Sequence, residues 1–132
     1  MKYIIYTSTA SIYFRVDRLE AMLCGFRKSN LKHGITGMLI YSEGTFMQIL
    51  EGKSETIDRL LKNIIKDKIH HSLMIWENKP LSVRLFADWS MSFKSVSNGQ
   101  FGEMIGLAGK PSKTVMPLAS YMVGLIAAPS LN

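Results

Sequence analysis

Residues 45–52, with the sequence TFMQILEG, place the primary amide of Gln48 inside an apolar run. A short apolar run of this kind, closed by Gly52, predicts a buried strand. Glutamine is found mostly at protein surfaces, and a buried amide without partners costs about 1–3 kcal/mol of stability. We therefore expect Gln48 to contact a polar group inside the fold.

The chain around this strand predicts an alternation of strands and helices. Apolar residues that recur every three or four positions predict two helices, at residues 16–29 and 54–67. Strands are predicted at residues 2–8, 35–41, 45–50, 73–77 and 90–94, with a hairpin turn at 42–44. This βαββαββ order favours an α+β, ferredoxin-like sandwich, in which both helices cover one face of a mixed five-stranded sheet and the first strand is central.

The composition of the chain changes after residue 97. Residues 101–109 and 114–127 are poor in charge and are separated by a Gly- and Pro-containing break at 109–112, which predicts two short helices. We expect both helices to dock on the open face of the sheet. A domain of residues 1–97 and a helical extension of residues 98–132 would then form one structural unit. The second helix is apolar enough that contact with another subunit is the alternative.

Length, charge and cysteine content narrow the class of protein. The 132 residues fit one domain, and the net charge of +6 comes from scattered Lys and Arg without a nucleic-acid-binding motif. No apolar run approaches the ~18 residues of a membrane helix and no signal peptide is evident, so a cytoplasmic protein is expected. Cys24 is the single cysteine. Its place on the first predicted helix predicts a buried, inert thiol, and no Cys or His cluster suggests zinc.

Five short motifs occur in an order typical of one family. They are IYTS at residues 5–8, NLKHGITGML at 30–39, FMQILEG at 46–52, DKIH at 67–70 and FADWSM at 86–91. Each motif alone is weak. Together, over residues 1 to about 95, they resemble the BLUF family of blue-light sensors, which hold a flavin between two helices.

The resemblance implies that two residues carry the light reaction. Tyr6 is implied to be the electron donor to the excited flavin, and Gln48 is implied to be the amide that rearranges. Their predicted strands are neighbours, so a hydrogen bond between the phenol and the amide is expected. A core tyrosine and an edge-facing glutamine are the alternative when the two residues are taken alone.

The resemblance also implies a set of flavin contacts. Asn30, four residues before Gly34, is implied to hold the pyrimidine edge of the ring, although an asparagine at this point also fits a C-terminal helix cap. Asp67 and His70 are implied to contact the ring and its ribityl side. The side chains expected to sandwich the ring are Met22, Phe46 and Ile64.

One position departs from the family pattern. The family usually carries an arginine directly before this histidine, whereas this chain has Ile69. The change removes a fixed charge and a fork of hydrogen-bond donors. Flavin affinity or spectral tuning is therefore expected to differ, and whether Lys68 substitutes stays open.

Trp89 and Met91 fall in the last predicted strand. The resemblance makes them alternatives for one position beside Gln48, with a shift of the strand turning either side chain inward. Methionine is flexible and polarizable enough to make that exchange easy. Plain packing of Trp89 against the core is the alternative.

These expectations describe a blue-light photoreceptor of the short, stand-alone BLUF type rather than an enzyme. It is expected to bind FAD noncovalently, with FMN or riboflavin as alternatives, and to signal to an unidentified downstream effector protein. A homo-oligomer is expected, without contact to a membrane or to nucleic acid.

Two other classes of function stay open from the sequence. An acylphosphatase-like enzyme on the same scaffold would need a phosphate-binding arginine in the loop after the first strand, and that loop has no arginine before Arg15. A ligand-free interaction module is the third possibility. The colour of the purified protein separates the three.

Overall fold

The computed structural model describes residues 1–108 and 117–127. The predicted helix break at residues 109–112 therefore lies outside the described residues. Five strands and four helices follow one another in the described chain: β1 Lys2–Ala10, α1 Val16–His33, β2 Thr36–Ser42, β3 Thr45–Gly52, α2 Ser54–Lys66, β4 His70–Pro80, β5 Ser92–Ser95, α3 Asn98–Leu107 and α4 Pro117–Ala127.

The five strands form one mixed sheet in the order β4-β1-β3-β2-β5. All neighbouring strands are antiparallel except β2 and β5, which are parallel. The expectation that the first strand is central was wrong, because β3 holds the centre and β1 lies second from the edge. The reason is the β2–β3 hairpin, whose two-residue turn has positive φ at Glu43 (39°) and Gly44 (88°). The hairpin pairs β2 with one edge of β3, the other edge of β3 pairs with β1, and the free edge of β2 pairs with β5.

Successive side chains along each strand point to opposite faces of the sheet. One face, with Ile4 and Leu50 among its members, is buried under α1 and α2. The other face, with Ile5 and Ile49, is buried under α3 and α4. Full burial of each such side chain contributes about 1.5–3 kcal/mol. The predicted α+β, ferredoxin-like sandwich with helices on both faces is confirmed.

Helix α1 continues four residues beyond its predicted end. Gly34 closes it in the left-handed conformation, with φ of 68° and its N–H directed at the carbonyl groups of the last turn. The prediction of a buried Cys24 was wrong, since the side chain is exposed. Leu23 faces the sheet, and each helical residue is rotated by about 100° from its neighbour, which directs Cys24 away from the core.

Strand β5 begins at Ser92, so Trp89 and Met91 precede it rather than lying in it as predicted. The backbone carbonyl groups of Ser90 and Met91 accept hydrogen bonds from side chains of α1, which replace strand pairing there. Among the helices of the described residues, none combines the length and the apolar character that crossing a bilayer requires.

Candidate functional site

A cleft opens between α1 and α2, with the sheet as its floor. Its enclosed volume is about 70 Å³, and the space including its open mouth is about 500 Å³. An adjoining hollow connects Gln48 with Asn30 and Leu60. The lining residues of the main cleft are Tyr6, Ser8, Leu19, Met22, Phe26, Leu39, Phe46, Gln48, Ile64, Asp67, Ile69 and His70.

A chain of hydrogen bonds crosses the floor of the cleft. Tyr6 and Gln48 are direct partners in the β1–β3 register, and the Tyr6 hydroxyl donates to Gln48 Oε1. Gln48 Nε2 in turn donates to Met91 Sδ at 3.3 Å. Tyr6, Gln48 and Met91 are all buried. The amide is thus held at both ends, and Tyr6 is the interior polar partner that the sequence required of Gln48.

The Tyr6 phenol is kept protonated by its surroundings. Burial, and secondarily the negative charge of Asp67, raises the pKa of Tyr6 well above its usual range. The carboxylate of Asp67 also accepts from the backbone N–H of Ile69, at 3.1 Å. A tyrosine is protonated at neutral pH even with its ordinary pKa of about 10, and burial disfavours the phenolate further, so Tyr6 acts as a hydrogen-bond donor toward Gln48.

Asn30 is buried in the last turn of α1. It is not the helix cap, a position that Gly34 occupies, so the alternative of a capping asparagine was wrong. Its Nδ2 donates to the carbonyl oxygen of Ser90 at 2.9 Å. One turn earlier, Arg27 Nε donates to the carbonyl oxygen of Met91 at 2.8 Å. Helix α1 is thereby tied to the segment that carries Met91.

The connection from α2 to β4 forms one end of the cleft. His70 Nε2 lies 2.7 Å from the carbonyl oxygen of Ile64, and because a carbonyl oxygen only accepts, this nitrogen is the donor. Ile69 lines the cleft and presents an apolar side chain there. Lys68 is exposed and lines a second hollow, which Asp67 and His70 also line, but it is not among the residues that line the cleft.

Met91 and Trp89 have opposite environments. Met91 is 1% exposed with its sulfur at the Gln48 amide, whereas Trp89 is 46% exposed. Of the two side chains that the sequence offered for the position beside Gln48, the structure places Met91 there.

Two polar residues of this region were missed in the sequence. Ser8 lines the cleft, is 3% exposed, and its hydroxyl has no hydrogen-bond partner among the described residues. The strand period of two would have placed it on the same face as Tyr6. Arg27 lies three residues before Asn30, a spacing that puts both on one side of a helix.

The cleft fits the binding needs of a flavin. An isoalloxazine ring is flat and largely apolar with one polar edge. Here apolar walls flank a floor that offers the amide of Gln48, and Asn30 of α1 offers a second amide in the adjoining hollow. Ser8, whose hydroxyl has no hydrogen-bond partner in the part of the chain that the structure describes, is a further polar residue of the cleft lining. Within residues 1–108 and 117–127, no group of three His, Cys, Asp or Glu side chains is placed to hold a metal ion.

Comparison with known proteins gives a consistent picture. A family model described as "BLUF: Sensors of blue-light using FAD" matches residues 1–92. Photoactivated adenylate cyclase subunit alpha of Euglena gracilis is 32% identical over 69 residues. That match covers 52% of this chain but only 7% of the cyclase subunit.

Two solved structures match nearly the whole chain. The dark-state structure of BlrB, described as a BLUF protein, is 26% identical with a TM-score of 0.75, and the match covers 94% of this chain and 96% of BlrB. BlsA in its photo-activated state is 22% identical with a TM-score of 0.77, covering 99% and 98% of the two chains. The second likeness concerns the fold alone.

Proposed function

Because the chain belongs to the BLUF family of blue-light sensors that use FAD, we propose that it binds FAD noncovalently between α1 and α2 and senses light through Tyr6 and Gln48. The observation that carries this proposal is the hydrogen-bonded chain from Tyr6 through Gln48 to Met91 on the floor of an apolar cleft. FMN and riboflavin share the same ring, and they are the alternatives.

The ring would be held by polar side chains at its edge and by apolar side chains on its faces. Asn30 Nδ2 is engaged by Ser90, which leaves Oδ1 to accept from the imide N–H of the flavin pyrimidine. Gln48 would face the neighbouring polar edge of the ring. Asp67 and His70 would lie along the ring and its ribityl side. The apolar walls would come from Met22, Phe46 and Ile64, all of which line the cleft.

The chain's own residues then convert light into a change of hydrogen bonding. When bound, the flavin supplies blue-light absorption and an excited state able to oxidise a phenol. Tyr6 would lose an electron to that excited state and its hydroxyl proton to the reduced ring by way of Gln48, and would receive both back. Without that proton the phenol no longer donates to Gln48 Oε1, and the amide is released to turn about its last bond. No net chemistry results, and the lasting product is a reoriented Gln48.

The reoriented amide is the start of the signal. Gln48 Nε2 contacts Met91, so turning the amide removes the donor from the thioether and frees the segment before β5. We propose that this segment and helices α3 and α4 pass the change to a downstream effector protein, with a homo-oligomer as the sensing unit. In this proposal residues 1–97 are the sensor, 98–132 are the output, and the chain itself catalyses no reaction.

The colour and light response of the purified protein test the proposal. We expect a yellow protein that releases oxidised flavin on acid or heat treatment, as noncovalent binding requires. Blue light should produce a small, reversible red shift of the flavin absorption. Chromatography of the released pigment identifies FAD, FMN or riboflavin. A colourless preparation that cannot be loaded with any of the three would contradict the proposal.

A further inference from the structure

The segment of residues 81–91 joins β4 to β5 without a helix or strand of its own and delivers Met91 to Gln48. Its course is therefore set by tertiary contacts rather than by local structure. Arg27 and Asn30 of α1 hold its last residues. Its first half is held by a different group, on the opposite face of the sheet.

That group is the carboxylate of Glu51, three residues after Gln48 on β3 and 0% exposed. Its oxygens accept from the backbone N–H of Leu85 at 2.9 Å and of Phe86 at 2.7 Å. They also accept from the Thr36 hydroxyl at 2.7 Å. A buried carboxylate needs such donors, because burying an unpaired charge is strongly unfavourable. Three donors from two parts of the chain meet that need here.

Arg84, which belongs to the segment, forms further hydrogen bonds beside the contact between Glu51 and residues 85 and 86. Its guanidinium donates to the Thr36 hydroxyl at 2.8 Å, to the backbone oxygen of Glu51 at 3.2 Å and to that of Gly34 at 2.6 Å. Residues 84–86 are thus fixed to the ends of β2 and β3 by side-chain and backbone groups together.

The fixed point is connected to Trp89 by backbone hydrogen bonds. Trp89 N–H donates to the carbonyl oxygen of Phe86 at 2.9 Å, and Gly37 N–H donates to the carbonyl oxygen of Trp89 at 3.0 Å. Gly37 itself is held close to β3, where a Cβ on it would lie 2.0 Å from the backbone oxygen of Ile49. The position of Phe86, set by Glu51, therefore determines where residues 89–91 lie.

We propose that Glu51 is a positioning residue that sets the register of residues 81–91, so that Met91 and not Trp89 lies against Gln48. A shift of two residues along the segment would bring Trp89 to the place that Met91 now fills. The inference rests on the proposed function, in which the Gln48 amide reorients after blue light is absorbed. Glu51 touches neither Tyr6 nor Gln48 and acts through the segment alone.

The test uses Trp89 as the reporter. The chain has two tryptophans, so a Trp76→Phe background leaves Trp89 as the sole fluorophore. Glu51→Gln is close to isosteric, but it replaces one accepting oxygen by a donor that cannot accept from Leu85 or Phe86. In the flavin-loaded dark protein we expect Trp89 emission at shorter wavelength and less quenching by acrylamide than in the 46% exposed native position. Dark recovery should change by about tenfold or more, equal to about 1.4 kcal/mol in the barrier.

Tyr3→Phe, in the same Trp76→Phe background, is the matched control. It removes a hydrogen bond of 2.7 Å to another buried carboxylate of the sheet, that of Glu77. We expect it to lower the melting temperature without moving Trp89 emission or the recovery rate. Glu51→Gln that behaves like Tyr3→Phe in both signals would overturn the proposal and leave Glu51 a purely structural residue.

Two further variants keep the proposal testable if Glu51→Gln does not fold. Thr36→Val and Arg84→Met retain the carboxylate and remove supporting donors, so each should move Trp89 emission in the same direction by a smaller amount. Native Trp89 emission in both variants would overturn the proposal. A wild-type protein without any light-induced red shift contradicts the proposed function instead, while the dark-state Trp89 signal still decides the role of Glu51.

Discussion

The Gln48 amide lies between two partners of unequal strength. Its oxygen accepts from a phenol that burial keeps protonated, and its nitrogen donates to a thioether, which is a weak acceptor. The strong bond fixes the direction of the amide in the dark. Any event that takes the proton from Tyr6 weakens the strong bond first, so the direction of the amide depends on the protonation of one residue.

Substitution of either residue should stop the switch while the cleft stays intact. We expect Tyr6→Phe and Gln48→Leu each to keep bound flavin and to lose the reversible red shift in blue light. Tyr6→Phe leaves Gln48 Oε1 buried without its donor, at a cost of about 1–3 kcal/mol in the free energy of unfolding. Absorption spectra in dark and light, together with denaturant unfolding, measure both effects.

Tyr41→Phe is the matched control for Tyr6→Phe. Tyr41 is buried on the same face of the sheet, and its hydroxyl has no hydrogen-bond partner among the described residues. Removing that hydroxyl should leave the red shift in place and should not lower stability. A normal photocycle in Tyr6→Phe would remove Tyr6 from the mechanism.

The raised pKa of Tyr6 predicts how stability depends on alkaline pH. Below pH ~10 the folded and unfolded chains both hold the phenol proton, so the contribution of Tyr6 is fully present. Above it the unfolded chain ionises first, and the free energy of unfolding falls by about 1.4 kcal/mol per pH unit until pH passes the folded pKa. Denaturant titrations across this range should show a shallower decline in Tyr6→Phe than in wild type. Equal slopes would mean that Tyr6 ionises alike in both states.

At the scale of the elements, the connection between α2 and β4 is expected to influence flavin affinity. Ile69 lines the cleft there beside Asp67, where the family usually has an arginine. We expect Ile69→Arg to tighten flavin binding, because a hydrogen bond to a charged group contributes about 1.5–3 kcal/mol, or about 10- to 150-fold in Kd. Titration of the apoprotein with FAD, followed by flavin fluorescence, measures the change.

Lys68→Arg is the control for that substitution. It adds the same guanidinium one residue earlier, on an exposed side chain that lines the second hollow. Its Kd should stay close to the wild-type value. If Ile69→Arg also binds flavin with wild-type affinity and spectrum, another group already donates a hydrogen bond to that part of the ring.

The elements differ in how far the sequence predicts them. Strands β1 to β3 are short, largely apolar runs, and helices α1 and α2 carry apolar residues at spacings of three and four, so local pattern sufficed for them. The segment of residues 81–91 has no period, and its course depends on Glu51 and on Arg27 and Asn30, which are distant in sequence. The sequence therefore offered both Trp89 and Met91 for one position, and only tertiary contacts decide between them.

Across the whole molecule, the sheet separates the cleft from the C-terminal helices. Helix α3 follows β5 after only two residues, Val96 and Ser97, and Val96 N–H still pairs with the carbonyl oxygen of Tyr41 at 3.0 Å. Removal of α3 and α4 would expose the apolar face that they cover, so a truncation would test folding as much as signalling. Substituting one residue that joins α3 to the sheet tests signal output without exposing that face.

Asn98 is the residue through which α3 is fixed to the β2–β3 hairpin. Its Oδ1 accepts from the Ser42 hydroxyl at 2.8 Å, and its Nδ2 donates to Glu43 at 2.6 Å. Asn98→Ala removes both bonds, while the Ser97–Gln100 capping box still starts the helix. Because Asn98 lies outside the cleft, we expect bound flavin and the red shift to be unchanged in this variant. The light-dependent change in self-association should be reduced or lost, as measured by light scattering coupled to size exclusion in dark and light.

Tyr121→Phe provides the control for this last experiment, since it removes a side-chain contact between α4 and Glu103 of α3 without touching the hairpin. It should keep the wild-type difference between dark and light. If Asn98→Ala keeps that difference as well, the signal does not leave through the start of α3. The exposed side of the segment that carries Trp89 is then the surface to probe, because Met91 on that segment contacts Gln48 directly. A wild type whose association state is the same in dark and light would instead exclude self-association as the output, and leave binding of a separate effector as the quantity to measure.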